Sequence, residues 1–203
     1  LRGLAFPFGN LDNLCLVGFD LEKSYLPGAH LVEADFSGAN LSCTDFQNAD
    51  MSFAKFDNSI LKKAYLLEAI LHGANFRNSD LSKTCLIQAN LINARFNHCN
   101  LQNTDLRGAS CLFTNFNQSN LADSKLQDTS FVECCLKDAD LSRSIFLRVN
   151  FTKADLRGAN LSGADLSYAN LQGALLDGAN MDGAIFKKTV GINKKTDVPK
   201  MFN

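Results

Sequence analysis

The sequence predicts an all-β fold in which the chain winds as a four-sided coil of parallel strands around a narrow core. Three observations predict it: a large apolar residue at every fifth position, a small residue two places earlier, and columns of like residues at a spacing of 20. Every fifth position from Phe6 to Phe186, 37 positions in all, holds Leu, Phe or Met, with Cys111 as the exception. No insertion interrupts the period, so one architecture is predicted for nearly the whole chain.

The period of five excludes both an α-helix and a straight strand. Five helical residues turn about 500°, so successive large residues would spiral around the helix. In a straight strand, positions i and i+5 face opposite sides. The large residues share one interior only if the chain turns a corner every five residues, and four right-angle corners close a coil of 20 residues. Successive coils would then stack through parallel bridges about 4.8 Å apart.

The small residue two places before each large one fits such a narrow core. From Ser24 to Ala184 this position holds Ala, Ser, Thr or Cys, apart from Val149. Large side chains from four faces nearly fill the interior at protein packing density, which leaves only Ala-sized space near the corners. Ser, Thr and Cys also fit there and can bond to local backbone groups.

Columns at a spacing of 20 support four faces. An unbroken column of leucines runs from Leu21 to Leu161, and another column holds five phenylalanines in succession, from Phe36 to Phe116, with Leu16 before them. In-register stacking of identical coils predicts such ladders. The faces are numbered by their large residues: face 1 with Leu26, Phe46 and Leu66; face 2 with Leu31, Met51 and Leu71; face 3 with Phe36, Phe56 and Phe76; face 4 with Leu21, Leu41 and Leu61.

The stretch 154–173 reads ADLRG ANLSG ADLSY ANLQG, and it resembles the pentapeptide-repeat family. That resemblance implies a right-handed quadrilateral parallel β-helix of about nine 20-residue coils. It implies little about function, since members of the family perform unlike tasks.

The two ends are predicted to differ from the array at 24–186. Residues 1–23 break the small-residue rule and are expected to form an irregular first coil or an N-terminal cap. Residues 187–203 lose the period and are expected to form a C-terminal cap or tail, with dimerisation through that end as the alternative. A solenoid needs caps because an open end exposes apolar core and unpaired edges.

Composition excludes several classes of function. The net charge of −1 gives no general reason to bind nucleic acid or an anionic membrane, and no apolar run approaches the roughly 20 residues of a membrane span. The seven cysteines include no CxxC pair, which favours free thiols in a reducing compartment. A cytoplasmic location is therefore expected, with export or a thylakoid lumen left open.

No catalytic, metal or cofactor site is predicted, and no small-molecule substrate is evident. His30, His72 and His98 are far apart in the sequence, and no Cys–His or Ser–His–Asp arrangement assembles. Cys134 and Cys135 are adjacent, but one slot faces the core and the other the surface, so they are expected to be structural rather than a redox pair.

With no catalytic site predicted, candidate binding residues are sought on the surface. The outward positions are taken as those flanking each large residue. Faces 1 and 2 are predicted to carry an apolar stripe that binds a protein: Tyr65, Leu67, Ile70, Ile87, Ile92, Leu112, Val132, Ile145 and Leu147. The alternative is a scatter of residues that suit exposed strands. Faces 3 and 4 carry a basic cluster that is a candidate anion site, with a solvated face as the alternative: Lys55, Lys62, Lys63, Arg77, Lys83 and Arg95.

The predicted function is a non-catalytic scaffold, a rod that binds a protein partner or its own copy. The resemblance implies an alternative, because some pentapeptide-repeat proteins mimic duplex DNA, bind DNA gyrase and protect it from quinolones. The near-neutral charge disfavours that alternative, since duplex DNA carries one negative charge per about 1.7 Å.

Overall fold

A computed structural model describes residues 1–192, which form a stack of parallel coils. Within this range there is no helix and no continuous strand, and pairing consists of single parallel bridges between residues 20 apart. The first bridge joins Ala5 to Tyr25 and the last joins Asn170 to Val190. Each bridge lies at the residue just before a large apolar residue, so the register of 20 is kept throughout the described coils.

Each pentapeptide contains one tight turn that forms a corner. In most pentapeptides the amide three residues after the large residue donates to its carbonyl, as Ala39 does to Phe36 at 2.9 Å. The residue two places after the large one has a positive φ, +67° at Gly38 and +62° at Lys83. Glycine adopts this left-handed conformation without strain, while the coil imposes it on other residues.

Backbone hydrogen bonds join the coils on both sides of each large residue. Phe56 donates to Asn75 at 2.7 Å, and Asn75 donates to Ala54 at 3.0 Å. At the corner Asn58 donates to Arg77 at 2.9 Å. The backbone polar groups are therefore paired without long strands, as burial of the chain requires.

Asp and Asn are frequent before the large residue because they brace the turn. The side-chain oxygen of Asp80 accepts from the amide of Ser82 at 3.0 Å, an Asx arrangement that recurs along the chain. On face 4 the amide of Asn100 also donates to Asp80 at 3.2 Å in the coil before. The acidic and amide residues of the repeat are therefore largely structural.

The core is one continuous cluster of large side chains, and the phenylalanine ladder within it is confirmed. From Phe36 to Phe116 the rings stack in parallel on face 3, with successive centroids 5.2, 4.5, 4.6 and 5.0 Å apart and planes within 10°. All five rings are fully buried. Identical coils in register bring identical rings to stacking distance.

The small inward residues hold the coils together through hydroxyls and thiols. Thr84 donates to the carbonyl of Leu61 at 3.0 Å, and Ser144 donates to that of Leu121 at 2.8 Å. Both hydroxyl residues are buried. Each bond links a corner residue to the coil before it, which explains why Ser and Thr substitute for Ala at this position.

Residues 1–23 continue the same bridges and turns, but the first large side chain, Phe6, is 46% exposed, whereas Leu16 and Leu21 are buried. Phe8, at the turn position, is 77% exposed. The boundary of this segment stays a prediction. The predicted C-terminal cap at 187–203 lies outside the described residues from 193 onward. Among residues 1–192 no helix is long and apolar enough to cross a membrane.

Candidate interaction surfaces

Part of the predicted apolar stripe forms a ladder on face 2. Ile92, Leu112 and Val132 occupy the same position in three consecutive coils, because Asn93 donates to the carbonyl of Leu112 at 3.0 Å and Phe113 donates to that of Val132 at 3.2 Å. All three side chains are half-buried. We call Ile92, Leu112, Val132 and the neighbouring Phe113 the apolar ladder.

Sequence reasoning missed Phe113, which is the most exposed member of the ladder. Its φ is +56° and it is 50% exposed, because it lies at the turn position two residues after Cys111. The predicted apolar stripe contains only residues that directly flank a large residue, and Phe113 does not. The sequence does indicate that this position is a turn, because Gly and Asn recur two places after the large residue and both favour a left-handed backbone conformation.

A second apolar group lies on the lower coils of faces 1 and 2. Leu67 and Ile87 are stacked on face 1, since Glu68 donates to the carbonyl of Ile87 at 2.9 Å. Tyr65 lies on face 1, directly before Leu66. Ile70 lies on face 2, directly before Leu71. Both are exposed.

The last two predicted residues of the stripe are separate from these groups. Ile145 and Leu147 lie on face 1, and Arg107 and Gln127 occupy the position between Ile87 and Leu147 in the two intervening coils. The nine predicted residues therefore form three groups rather than one continuous stripe. The apolar ladder is the group that spans the most consecutive coils.

Two of the six residues in the basic cluster are paired with carboxylates. The ammonium of Lys55 lies 3.7 Å from Asp35, and that of Lys62 lies 3.1 Å from Asp80. Exposed pairs of this kind contribute little stability, about 0–1 kcal/mol. They do reduce the charge that these lysines offer to a ligand.

The other four basic residues form two groups. Arg77 and Arg95 lie on face 3 in adjacent coils, while Lys63 and Lys83 occupy successive turn positions of face 4, where Lys63 donates to Ser82 at 3.1 Å. None of the four makes an ion pair within residues 1–192. The predicted patch is thus divided between two faces.

Later coils show the opposite pattern, with acidic and basic residues paired at successive turn positions. Arg143 binds Asp123 and Arg148 binds Asp128 through two bonds each, between 2.7 and 2.9 Å. Hydrogen bonds from these arginines lower the pKa of both aspartates. Such pairs join coils but leave no net charge for a partner.

In the part of the chain that the structure describes, reactive side chains are not brought together. Burial raises the pKa of Cys99 to about 12 and that of Cys134 well above its usual range, so neither thiol is a nucleophile at neutral pH. Cys134 donates to the carbonyl of Cys111 in the core, whereas Cys135 lies in the outward row and bridges Asp155. Among residues 1–192 no three His, Cys, Asp or Glu side chains are grouped to hold a metal ion.

A family model for pentapeptide repeats matches this chain in eight copies. The matched segments extend from residue 15 to residue 190: 15–52, 49–86, 84–123, 124–163, 144–183 and 164–190. The chain belongs to the pentapeptide-repeat family. The match is to a repeat family and not to a catalytic one. Pentapeptide-repeat structures are right-handed β-helices, and the stacked 20-residue coils described above are of this class.

Solved pentapeptide-repeat structures are similar to this chain over most of its length. HetL, a protein involved in heterocyst differentiation regulation in the cyanobacterium Nostoc sp., is 31% identical with a TM-score of 0.58, covering 91% of this chain and 87% of HetL. QnrB1, a plasmid-mediated fluoroquinolone resistance protein, is 20% identical with a TM-score of 0.41, covering 91% of this chain and 90% of QnrB1.

A third pentapeptide-repeat structure is similar over a shorter stretch. A protein from the Arabidopsis thaliana thylakoid lumen is 33% identical with a TM-score of 0.26, covering 47% of this chain and 63% of that protein. A search of curated proteins finds no significant match.

Proposed function

We propose that this protein is a non-catalytic scaffold that binds a protein partner through the apolar ladder. The observation that carries the proposal is the stacking of Ile92, Leu112 and Val132 in three consecutive coils beside the half-exposed Phe113. Contiguous exposed apolar surface on a protein in water is typical of a binding site. Burial of such surface stabilises a complex by about 25 cal/mol per Å² before the costs of association.

The rigidity of the coil supports a binding role. The ladder is held by backbone bonds to neighbouring coils, so the backbone that carries its four side chains is fixed before a partner arrives. A preorganised surface loses less conformational entropy on binding than a loop does. Phe113 would supply the aromatic anchor that is common at the centre of interfaces.

Within the described coils, no reactive side chains are grouped as a catalytic site would require, and this favours binding over catalysis. The thiols with raised pKa values are in the core, and the three histidines lie in different coils. The similarity to HetL, which is involved in regulation, supports a role in which the rod acts by binding.

We also propose the cross-section of the coil, the number of coils and the bounds of the three segments. We infer a quadrilateral cross-section and about nine coils, from four turns in each 20-residue repeat. Residues 1–23 would form the first coil or cap, 24–186 the repeat array, and 187–203 a C-terminal cap.

The DNA-mimic function is disfavoured by charge. A mimic of duplex DNA needs acidic columns on its surface, whereas this chain has a net charge of −1 and its Asp123 and Asp128 are paired with arginines. A gyrase supercoiling assay tests this point, and we expect neither inhibition nor protection from a quinolone at micromolar protein.

Affinity capture with matched variants tests the scaffold proposal. Ile92→Ser/Leu112→Ser removes two members of the ladder, and Ile60→Ser removes an exposed isoleucine of face 4 as the control. We expect wild type and Ile60→Ser to recover the same proteins at the same yield, and the ladder variant to lose at least one of them.

Light scattering on the same three proteins measures their oligomeric state and so tests for self-association. If the partner is a second copy, wild type and Ile60→Ser form dimers that the ladder variant does not. Equal recovery and an equal oligomeric state for all three proteins, with equal circular dichroism spectra, would contradict the proposal.

A further inference from the structure

Face 3 carries a surface that the apolar ladder does not explain. The segments 75–78, 95–98 and 115–118 read NFRN, RFNH and NFNQ, and bridges from Asn75 to Arg95 and from Arg95 to Asn115 stack them in three consecutive coils. In each segment the Phe is buried in the core ladder. The other three residues of each carry side-chain nitrogen, and none is a carboxylate. We call these three segments the amide–arginine surface.

The charge around this surface differs from that of the whole chain. Residues 57–104 contain five Lys and Arg and three acidic residues, Asp57, Glu68 and Asp80, for a local net charge of +2 in a protein whose net charge is −1. Asp80 lies on face 4 and is paired with Lys62, and Glu68 lies at a turn of face 1. Only Asp57 is on face 3, where it lies one coil before Arg77 and accepts hydrogen bonds from the side-chain amide of Asn75.

The two arginines of this surface are distinguished from the others by their lack of partners. The chain has seven arginines, and five of them pair with a carboxylate. Arg77 and Arg95 make no ion pair and no side-chain hydrogen bond within residues 1–192, and both are exposed. Two planar cations in adjacent coils are thus left to bind groups from outside.

Nearby polar side chains add further hydrogen-bond donors to these two cations. Asn78 and His98 follow the arginine-bearing rows at the turn positions, where both are exposed and adopt φ near +59°. Asn75 is already used, because its amide donates to both oxygens of Asp57 at 2.9 and 2.8 Å. That bond shows how an amide of this surface holds a carboxylate.

We propose that the amide–arginine surface binds an acidic segment of a protein partner in extended conformation. Guanidinium groups pair with carboxylates through two parallel bonds, which gives both affinity and orientation. Side chains on one side of an extended segment recur at about 6.6–6.8 Å, so an acidic residue at every second position presents a row of carboxylates to this surface. The proposal rests on the proposed function only in taking the ligand to be a protein, and it concerns a different face.

A peptide fits this surface better than a nucleic acid does. The unpaired cations span only a few coils, about 4.8 Å apart, so they could neutralise few phosphates, and affinity for nucleic acid grows with the number neutralised. The coils that follow present paired charges such as Arg143 with Asp123. A short acidic segment matches the short extent of the positive surface.

Fluorescence anisotropy with synthetic peptides tests this proposal. The probe is a labelled peptide that alternates Glu and Ser, and its control alternates Gln and Ser. We expect wild type to bind the Glu peptide at least about tenfold more tightly than the Gln peptide at low salt, with the difference reduced at high salt. Arg77→Gln/Arg95→Gln should remove most of that difference.

Two control proteins make the result specific. Lys125→Gln/Lys187→Gln changes the net charge equally on face 1 and should bind the Glu peptide as wild type does. Ile92→Ser/Leu112→Ser should also keep peptide binding, so this proposal and the proposed function fail independently. Equal binding of both peptides, an equal loss in both charge variants, or tighter binding of a duplex DNA of equal charge would overturn the proposal.

Discussion

Phe56 and Phe76 lie parallel in the core, with ring centroids 4.5 Å apart and planes 2° apart. The separation is close to the rise between coils, about 4.8 Å, so the rings stack because the backbone stacks. Each ring is enclosed by the coils above and below it. The ladder therefore couples neighbouring coils along face 3.

Removing one ring of this ladder should destabilise the protein strongly. Phe76→Ala leaves a cavity between two stacked rings, and we expect a loss of about 3–5 kcal/mol in the free energy of unfolding. Urea unfolding followed by circular dichroism measures it. Phe113→Ala is the control, since that ring is half-exposed, and it should cost under about 1 kcal/mol. Equal costs for both would contradict the assignment of core and surface.

The sequence predicted the ladder because its period and its columns are geometric. A spacing of five defines the corner and a spacing of 20 defines the neighbour, so the stacking of Phe56 on Phe76 follows without any knowledge of side-chain conformation. The turn position was harder to read. Phe113 is an apolar residue at a left-handed corner, a place where composition favours Gly and Asn.

Charge pairing was missed in the sequence, although the spacing of 20 contains it. Lys55 and Arg95 occupy equivalent positions on face 3, yet one is paired with Asp35 and the other is unpaired. The difference depends on which residue stands 20 positions earlier, Asp35 below Lys55 but Asn75 below Arg95. Lys55 and Arg95 were predicted to belong to one patch because they share a face.

The inward hydroxyls should contribute measurably to stability. Thr84→Val keeps the shape of the side chain but removes the donor to the carbonyl of Leu61, which lies 3.0 Å from the hydroxyl. We expect a loss of about 1 kcal/mol in the free energy of unfolding, the usual contribution of a buried hydrogen bond. Ala64→Ser, at the same position one coil earlier, adds a hydroxyl and should cost less. A neutral result for Thr84→Val would remove the role assigned to this bond.

Stability should depend on the ionisation of Asp155 in acid. Bonds from Arg157 at 2.9 and 2.7 Å, with Lys137 at 3.2 Å, lower its pKa to about 2. A lowered pKa means that the ionised form stabilises the folded state above the unfolded value of about 4, and that this contribution is lost as the pH falls toward 2. Asp155→Asn should therefore be less stable than wild type at neutral pH, and the difference should shrink below pH 4. Thermal melts across pH would show a constant difference if the ion pair had no effect.

The central claim is that the apolar ladder binds a protein partner, and the affinity of a captured partner tests it most directly. The dissociation constant is measured by titration calorimetry for wild type, Leu112→Ser/Val132→Ser and the face 4 control Ile60→Ser. We predict that the ladder variant weakens binding at least about tenfold, roughly 1.4 kcal/mol, while the control matches wild type. An unchanged dissociation constant for a correctly folded ladder variant would contradict the claim.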